Sequence, residues 1–262
     1  MNAIIMKHIL DVIDCTSLHK ASPLTSGFDF IDEELGGYHS GEVITVAGTI
    51  NSGKTAFVVS QVDRLSVEQK VPTLVGLGLM DYDMFLASLV AYHYSIKTSN
   101  LWGLLNDPKY KTEVEQYKEI LKESPLFIAD SVWDEEDEED LEISVLEKEI
   151  RIVFLDELEL FPEENESAKM KQLAIHSGAT IVETQVIDKV EVTDRISCIR
   201  LSDIKGYADT VIAFNDYEYL GLYTDEKGRE LHGLLGIEIL KQKGFAHSGI
   251  YSVQKSQLFF KK

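Results

Sequence analysis

The chain has 262 residues, 44% of them hydrophobic and 27% charged, which is enough apolar surface for one substantial core and too much for a disordered chain. No apolar run approaches a membrane span, and the N-terminus lacks a basic stretch followed by a continuous apolar segment, so neither a spanning nor a secreted protein is expected. With 25 Lys and Arg against 45 Asp and Glu, the net charge of −20 repels polyphosphates unless basic groups are gathered locally, and two unpatterned cysteines, Cys15 and Cys198, fit a reducing cytoplasm.

In chain order, Met1–Ser22 reads as a short amphipathic helix and polar link, with Ile4, Ile5, Ile9, Val12 and Ile13 on helical spacing. It packs either on its own domain or on a neighbouring subunit. Thr25–Asp32 leads to Gly36 and Gly37, with Phe28 and Ile31 anchoring a short helix that the glycines end. Val43–Ala47 is an apolar, β-branched strand that runs straight into Gly48-Thr49-Ile50-Asn51-Ser52-Gly53-Lys54-Thr55. That is the G-x-x-x-x-G-K-[ST] phosphate loop. Its glycines let backbone N–H groups curl inward on phosphate oxygens, and the helix that begins at the lysine aims its positive end there. Gly48, Asn51, Ser52, Gly53, Lys54 and Thr55 are therefore the candidate nucleotide-binding residues. Lys54 reaches the β- and γ-phosphates of ATP, and the Thr55 hydroxyl holds Mg²⁺.

Thr55–Gln69 is the following helix, Pro72–Leu79 a strand, and Asp81 or Asp83 caps a helix over Met84–Ile96. Asn100–Ser124 reads as a helical insert and Leu126–Ala129 as a strand. Asp134–Asp140 is an acidic block, read as a solvated loop or as a site for a basic partner or loosely held calcium. Leu141–Ile150 resumes as helix. Arg151–Asp156 is a buried strand with a carboxylate at its end, 101 residues beyond Thr55, where Asp156 can hold the water shell of Mg²⁺. Glu157 directly after it can serve as general base or be a solvated strand-end acid. Glu164–Ser177 is a helix, Thr180–Thr184 a strand that ends at Gln185, and Leu235–Lys241, Gly249–Val253 and Leu258–Phe260 are short strands. The alternation argues one mainly parallel sheet flanked by helices, with a β-rich C-terminal end and nucleotide at the carboxyl ends of the strands.

Ser26-Gly27-Phe28, Gly36-Gly37, the phosphate loop with Ala56 and Phe57, Val153–Leu160, Gln185, Leu201–Ile204 and Ala208–Ile212 fall in one order that resembles the RecA-like motor of DnaB-type replicative helicases. The resemblance implies a RecA-like ATPase domain over residues 23–262 after an N-terminal helix and linker at 1–22, without the family's N-terminal helical domain. It implies a homo-oligomeric ring hexamer, cytoplasmic and off the membrane, that acts on single-stranded DNA in replication. By the same resemblance Gln185 senses the γ-phosphate, and Lys241 and Lys243 reach the nucleotide of the adjacent subunit unless they merely sit on an edge strand. Three departures bear on activity. Leu79 takes the position of the family's water-polarising glutamate, although a two-residue slip would put Asp81 there. Lys243 replaces an arginine. In the DNA-touching loop, Lys189, Arg195, Arg200 and Lys205 are offset by Asp188, Glu191, Asp194 and Asp203. A nucleotide-binding regulator or assembly factor of the same fold is the alternative.

Overall fold

The computed structural model describes residues 22–129, 144–157, 166–188, 190, 199–243 and 245–256. The expected N-terminal helix, the acidic block, Lys189, Glu191, Asp194, Arg195 and the strand at 258–260 lie outside them.

Eight strands form one sheet: β1 (Val43–Gly48), β2 (Thr73–Leu77), β3 (Leu126–Ala129), β4 (Ile152–Asp156), β5 (Thr180–Val186), β6 (Thr210–Asp216), β7 (Leu234–Gln242) and β8 (Phe245–Gln254). Their order is β3-β2-β4-β5-β1-β6-β7-β8. The first six run parallel, while β6–β7 and β7–β8 pair antiparallel. The parallel strands are nearly continuous apolar runs, as burial on both faces demands: every residue of β1, β2, β4 and β6 is buried.

Side-chain alternation sorts these strands onto two layers. Ile44, Val46, Ile152, Phe154 and Val182 face one cluster together with α1 (Asp29–Glu34), α2 (Lys54–Val62), α3 (Tyr82–His93) and α4 (Lys111–Lys122). Val43, Val153, Leu155 and Ile181 face the other, packed on Met170, Leu173 and Ala174 of α5 (Glu166–Ser177). Ile31 buries α1 as expected, but its second buried residue is Phe30 rather than Phe28, which caps the helix and is only half-buried, and Gly36 and Gly37 take positive φ values of 74° and 86°. Arg64 clamps the preceding segment by donating to the Gly27 carbonyl at 2.8 Å and stacking on Phe28.

The structure departs from the expected elements at four places. The helix leaving the phosphate loop widens into a π-helical turn over Asp63–Glu68. There the buried Asp63 takes a hydrogen bond from the Tyr117 hydroxyl at 2.8 Å and pairs with His93 Nδ1 at 2.9 Å, partners that hydropathy periodicity cannot register. The insert is not one helix: Leu104–Asn106 and Pro108–Tyr110 are 3₁₀ turns, because Pro108 and the Asp107 cap on the Lys109 N–H interrupt it before α4. Helix before β4 is confined, among the described residues, to 144–147, and a left-handed Glu149 at φ 51° follows. The C-terminal region is a long hairpin, β7–β8, rather than separate short strands.

Candidate functional site

β1, β2, β4 and β5 are parallel, so their carboxyl ends gather at one edge of the sheet. At the end of β1 the loop turns through Asn51 at φ 60° and Gly53 at φ 94° before α2 begins. A Cβ at Gly48 would lie 2.3 Å from the Ser52 hydroxyl and 3.1 and 3.2 Å from the Phe214 Cβ and carbonyl, so a side chain there forces its neighbours to shift. Lys54 is buried and its ammonium donates to the carbonyls of Gly48 and Thr49, at 3.2 and 2.9 Å. The hydroxyls of Thr49 and Ser52 are buried in the same loop without a hydrogen-bond partner. A buried cation surrounded by curled backbone and unmet hydroxyls is a donor set for an anion, and it fits a triphosphate.

Beside the loop, Thr55 Oγ1 donates to Asp156 Oδ2 at 2.8 Å and Thr184 Oγ1 donates to Asp156 Oδ1 at 2.7 Å. Both hydroxyl hydrogens point at the carboxylate, which leaves the Thr55 lone pairs for a hard cation. Burial pushes the Asp156 pKa above its ordinary value, against the opposing pull of Thr184, Thr55 and the Lys54 charge. An oxygen-only pair of this kind fits Mg²⁺. An open cleft of about 210 Å³ lies against these groups, lined by Thr55, Asp156, Glu157, Leu79, Asp81 and Trp102 among others. Leu79 is 77% exposed and Trp102 69%, so the mouth of the cleft is apolar.

The remaining acids divide. β2 stops at Leu77, and the Gly78 N–H donates to the Asp156 carbonyl at 3.1 Å, which brings the chain carrying Leu79 and Asp81 beside β4. Asp81 caps α3, accepting from the Met84 N–H at 2.7 Å. Glu157 follows Asp156 with φ 64° and lines the cleft.

Gln185, Lys241 and Lys243 stand elsewhere. Gln185 is the strand neighbour of Thr184, so it faces the opposite layer, where its side-chain oxygen accepts from the Lys205 N–H at 3.1 Å. Lys241 donates to the Ala208 carbonyl, and Lys243 pairs with Glu42 at 3.2 Å. Glu42 precedes β1 and the phosphate loop follows it, so the six residues of β1 set Lys243 roughly 20 Å from its own loop. Of the expected residues, the structure brings together the loop, Thr55, Asp156, Glu157 and Asp81, and leaves the other three away from that cleft.

Two residues escaped sequence reading. Thr184 was discernible in principle, because strand alternation gives it the face of Val182. Trp102 carries no local signal, since its place depends on how the insert meets the chain at Leu79–Met84 across the cleft.

A family model described as the DnaB-like helicase C-terminal domain matches residues 23–182. Among solved structures, the chain is similar to one described as an ATPase domain, at 18% identity over 94% of this chain and 93% of that one, with a TM-score of 0.69. It is similar also to a DnaB-like replicative helicase described with its interactions with primase, at 18% identity over 98% of this chain and 66% of that one, with a TM-score of 0.70. No curated protein matches it in sequence.

Proposed function

The chain belongs to the DnaB-like helicase C-terminal domain family, and on that premise we propose that it is a helicase-type motor, a P-loop ATPase that assembles as a ring and acts on single-stranded DNA in replication. The observation that carries the reading is the meeting of Thr55 and Asp156 at 2.8 Å beside a loop whose buried lysine and unmet hydroxyls await an anion. Magnesium nucleotide, when bound, supplies the phosphoanhydride to be cleaved and the charge that neutralises it. Lys54 exchanges the Gly48 and Thr49 carbonyls for phosphate oxygens, while Thr55 and Asp156 hold the metal. Glu157 accepts the proton of the attacking water. Asp81 is the lesser candidate, because its carboxylate is engaged in capping α3. Gln185 keeps the part of γ-phosphate sensor in this reading, although its side-chain oxygen is engaged by the Lys205 N–H on the opposite layer. Lys241 and Lys243 act in trans. Among the described residues no helix is long and apolar enough to cross a membrane, and a cytoplasmic setting belongs to the same reading.

The test is ATP hydrolysis with and without single-stranded DNA. A motor turns over ATP faster with DNA present, and an unchanged rate overturns that part of the reading. One observation favours a regulator instead: an exposed leucine, Leu79, lines the cleft at the position that the resemblance, without a two-residue slip to Asp81, gives to the family's glutamate. That reading expects tight ATP binding, slow hydrolysis and no stimulation.

A further inference from the structure

In an extended strand, consecutive side chains point to opposite faces. Ile152 and Phe154 face the α2 layer, so Asp156 does too, and a residue 157 in continued β conformation would turn toward α5. Glu157 nevertheless lines the same cleft as Asp156. The reason is its backbone. At φ 64° it occupies the left-handed region, which a glutamate rarely adopts without support.

A buried side chain on the neighbouring strand supplies support. The β4–β5 ladder ends at Leu155↔Glu183, and two positions further along the Glu157 N–H donates to Thr184 Oγ1 at 2.6 Å. An N–H can only donate, so the Thr184 oxygen accepts there and its own hydrogen goes to Asp156 Oδ1 at 2.7 Å. Thr184 is fully buried, so no water competes for either bond. A single hydroxyl thus fixes the orientation of the carboxylate assigned to the metal and the backbone turn that aims the next residue into the cleft.

We propose that Thr184 is a positioning residue that couples metal holding to water activation, by locking Glu157 in the left-handed turn that sends two consecutive acids to one cleft. This rests on the reading of Glu157 as the water-activating acid. Thr184→Val keeps the shape and removes the hydroxyl, Thr184→Ser keeps the hydroxyl, and Glu157→Gln tests the premise. In the nucleotide-free protein, exchange of the Glu157 amide hydrogen is expected to accelerate roughly tenfold or more in T184V and to stay near wild type in T184S. In steady-state assays T184V is expected to lose roughly 10–100-fold in kcat with the ATP KM within about threefold, and T184S to recover most of it. Thr184→Ala carries the same expectation should valine not pack. Unchanged Glu157 exchange in T184V, or a wild-type kcat in T184V while E157Q is inactive, overturns the inference alone. Full turnover by E157Q overturns the premise instead, and the exchange measurement still decides whether Thr184 holds the turn.

Discussion

Lys54 illustrates how one side chain can be placed for a ligand by its neighbours. Its ammonium is buried against two carbonyls on one curl of backbone, and in the proposed function phosphate oxygens, acceptors of the same kind, take their place. A hydrogen bond to a charged group is worth about 1.5–3 kcal/mol, so Lys54→Ala is expected to weaken ATP binding by roughly 10–150-fold in calorimetry. Undiminished affinity would remove the loop from the site. Glu157 presents the opposite case, in which a residue is held against its own preference. A left-handed non-glycine residue costs about 1–2 kcal/mol, so Glu157→Gly is expected to raise stability by up to about 1 kcal/mol in denaturant titration while reducing turnover. A destabilised E157G would mean that the turn is not under strain.

Among the elements, β5 serves both faces of the sheet from one strand. Its alternate residues serve opposite layers: Thr184 faces Asp156, while Glu183, 2% exposed, accepts from Thr45 Oγ1 at 2.5 Å and leaves its second oxygen without a hydrogen-bond partner. Burial pushes the Glu183 pKa up to about 7 from 4.5, the Thr45 hydroxyl pulling the other way. A folded-state pKa above the unfolded one means that the native state binds the extra proton. The associated stability is therefore full below about pH 4.5 and is lost as pH rises through about 7. Relative to wild type, Glu183→Gln is expected to gain on the order of 2–3 kcal/mol at pH 8 and nothing near pH 4, read from denaturation midpoints across that range. A pH-independent difference would refute the raised pKa. At the amino end of β6, Asp209 ties three elements by accepting from the Val43 N–H, from Lys171 of α5 and from the Tyr207 hydroxyl. Burial raises its pKa, but these donors outweigh it and hold the carboxyl below its ordinary value. Asp209→Ala is expected to cost about 1–3 kcal/mol, with ATP affinity within about twofold of wild type, since the clamp lies at the end of the sheet away from the phosphate loop.

At the scale of the whole molecule, the sheet order decides which residues can share a site within one chain. β7 runs antiparallel to β6, so its end, with Lys241 and Lys243, lies beside the start of β1, opposite the phosphate loop. Neither lysine can reach the phosphate loop of its own chain, so the part proposed for them requires a neighbouring subunit placed head to tail. A mixing experiment separates the possibilities. If Lys243 acts in trans, Lys54→Ala and Lys243→Ala each hydrolyse ATP poorly alone, and the mixture recovers activity because one subunit brings an intact loop and the other an intact lysine. A mixture no more active than the sum of its parts would confine Lys243 to its ion pair with Glu42.

The glycine-bearing loop between β1 and α2, the aspartate that ends β4, the parallel sheet and its β-rich end were all legible from sequence. Each is written in local terms: glycines where backbone must curl, apolar runs where strands are buried twice, and a carboxylate where such a run stops. The π-helical turn at Asp63, the broken insert, the left-handed Glu157 and the Thr184 bridge were not, because each depends on partners distant in the chain, such as Tyr117 for Asp63 and Thr184 for Glu157. Periodicity states which face of an element is apolar. Only the folded sheet decides which two polar groups, 27 residues apart in the case of Glu157 and Thr184, come within hydrogen-bonding distance in a space that excludes water.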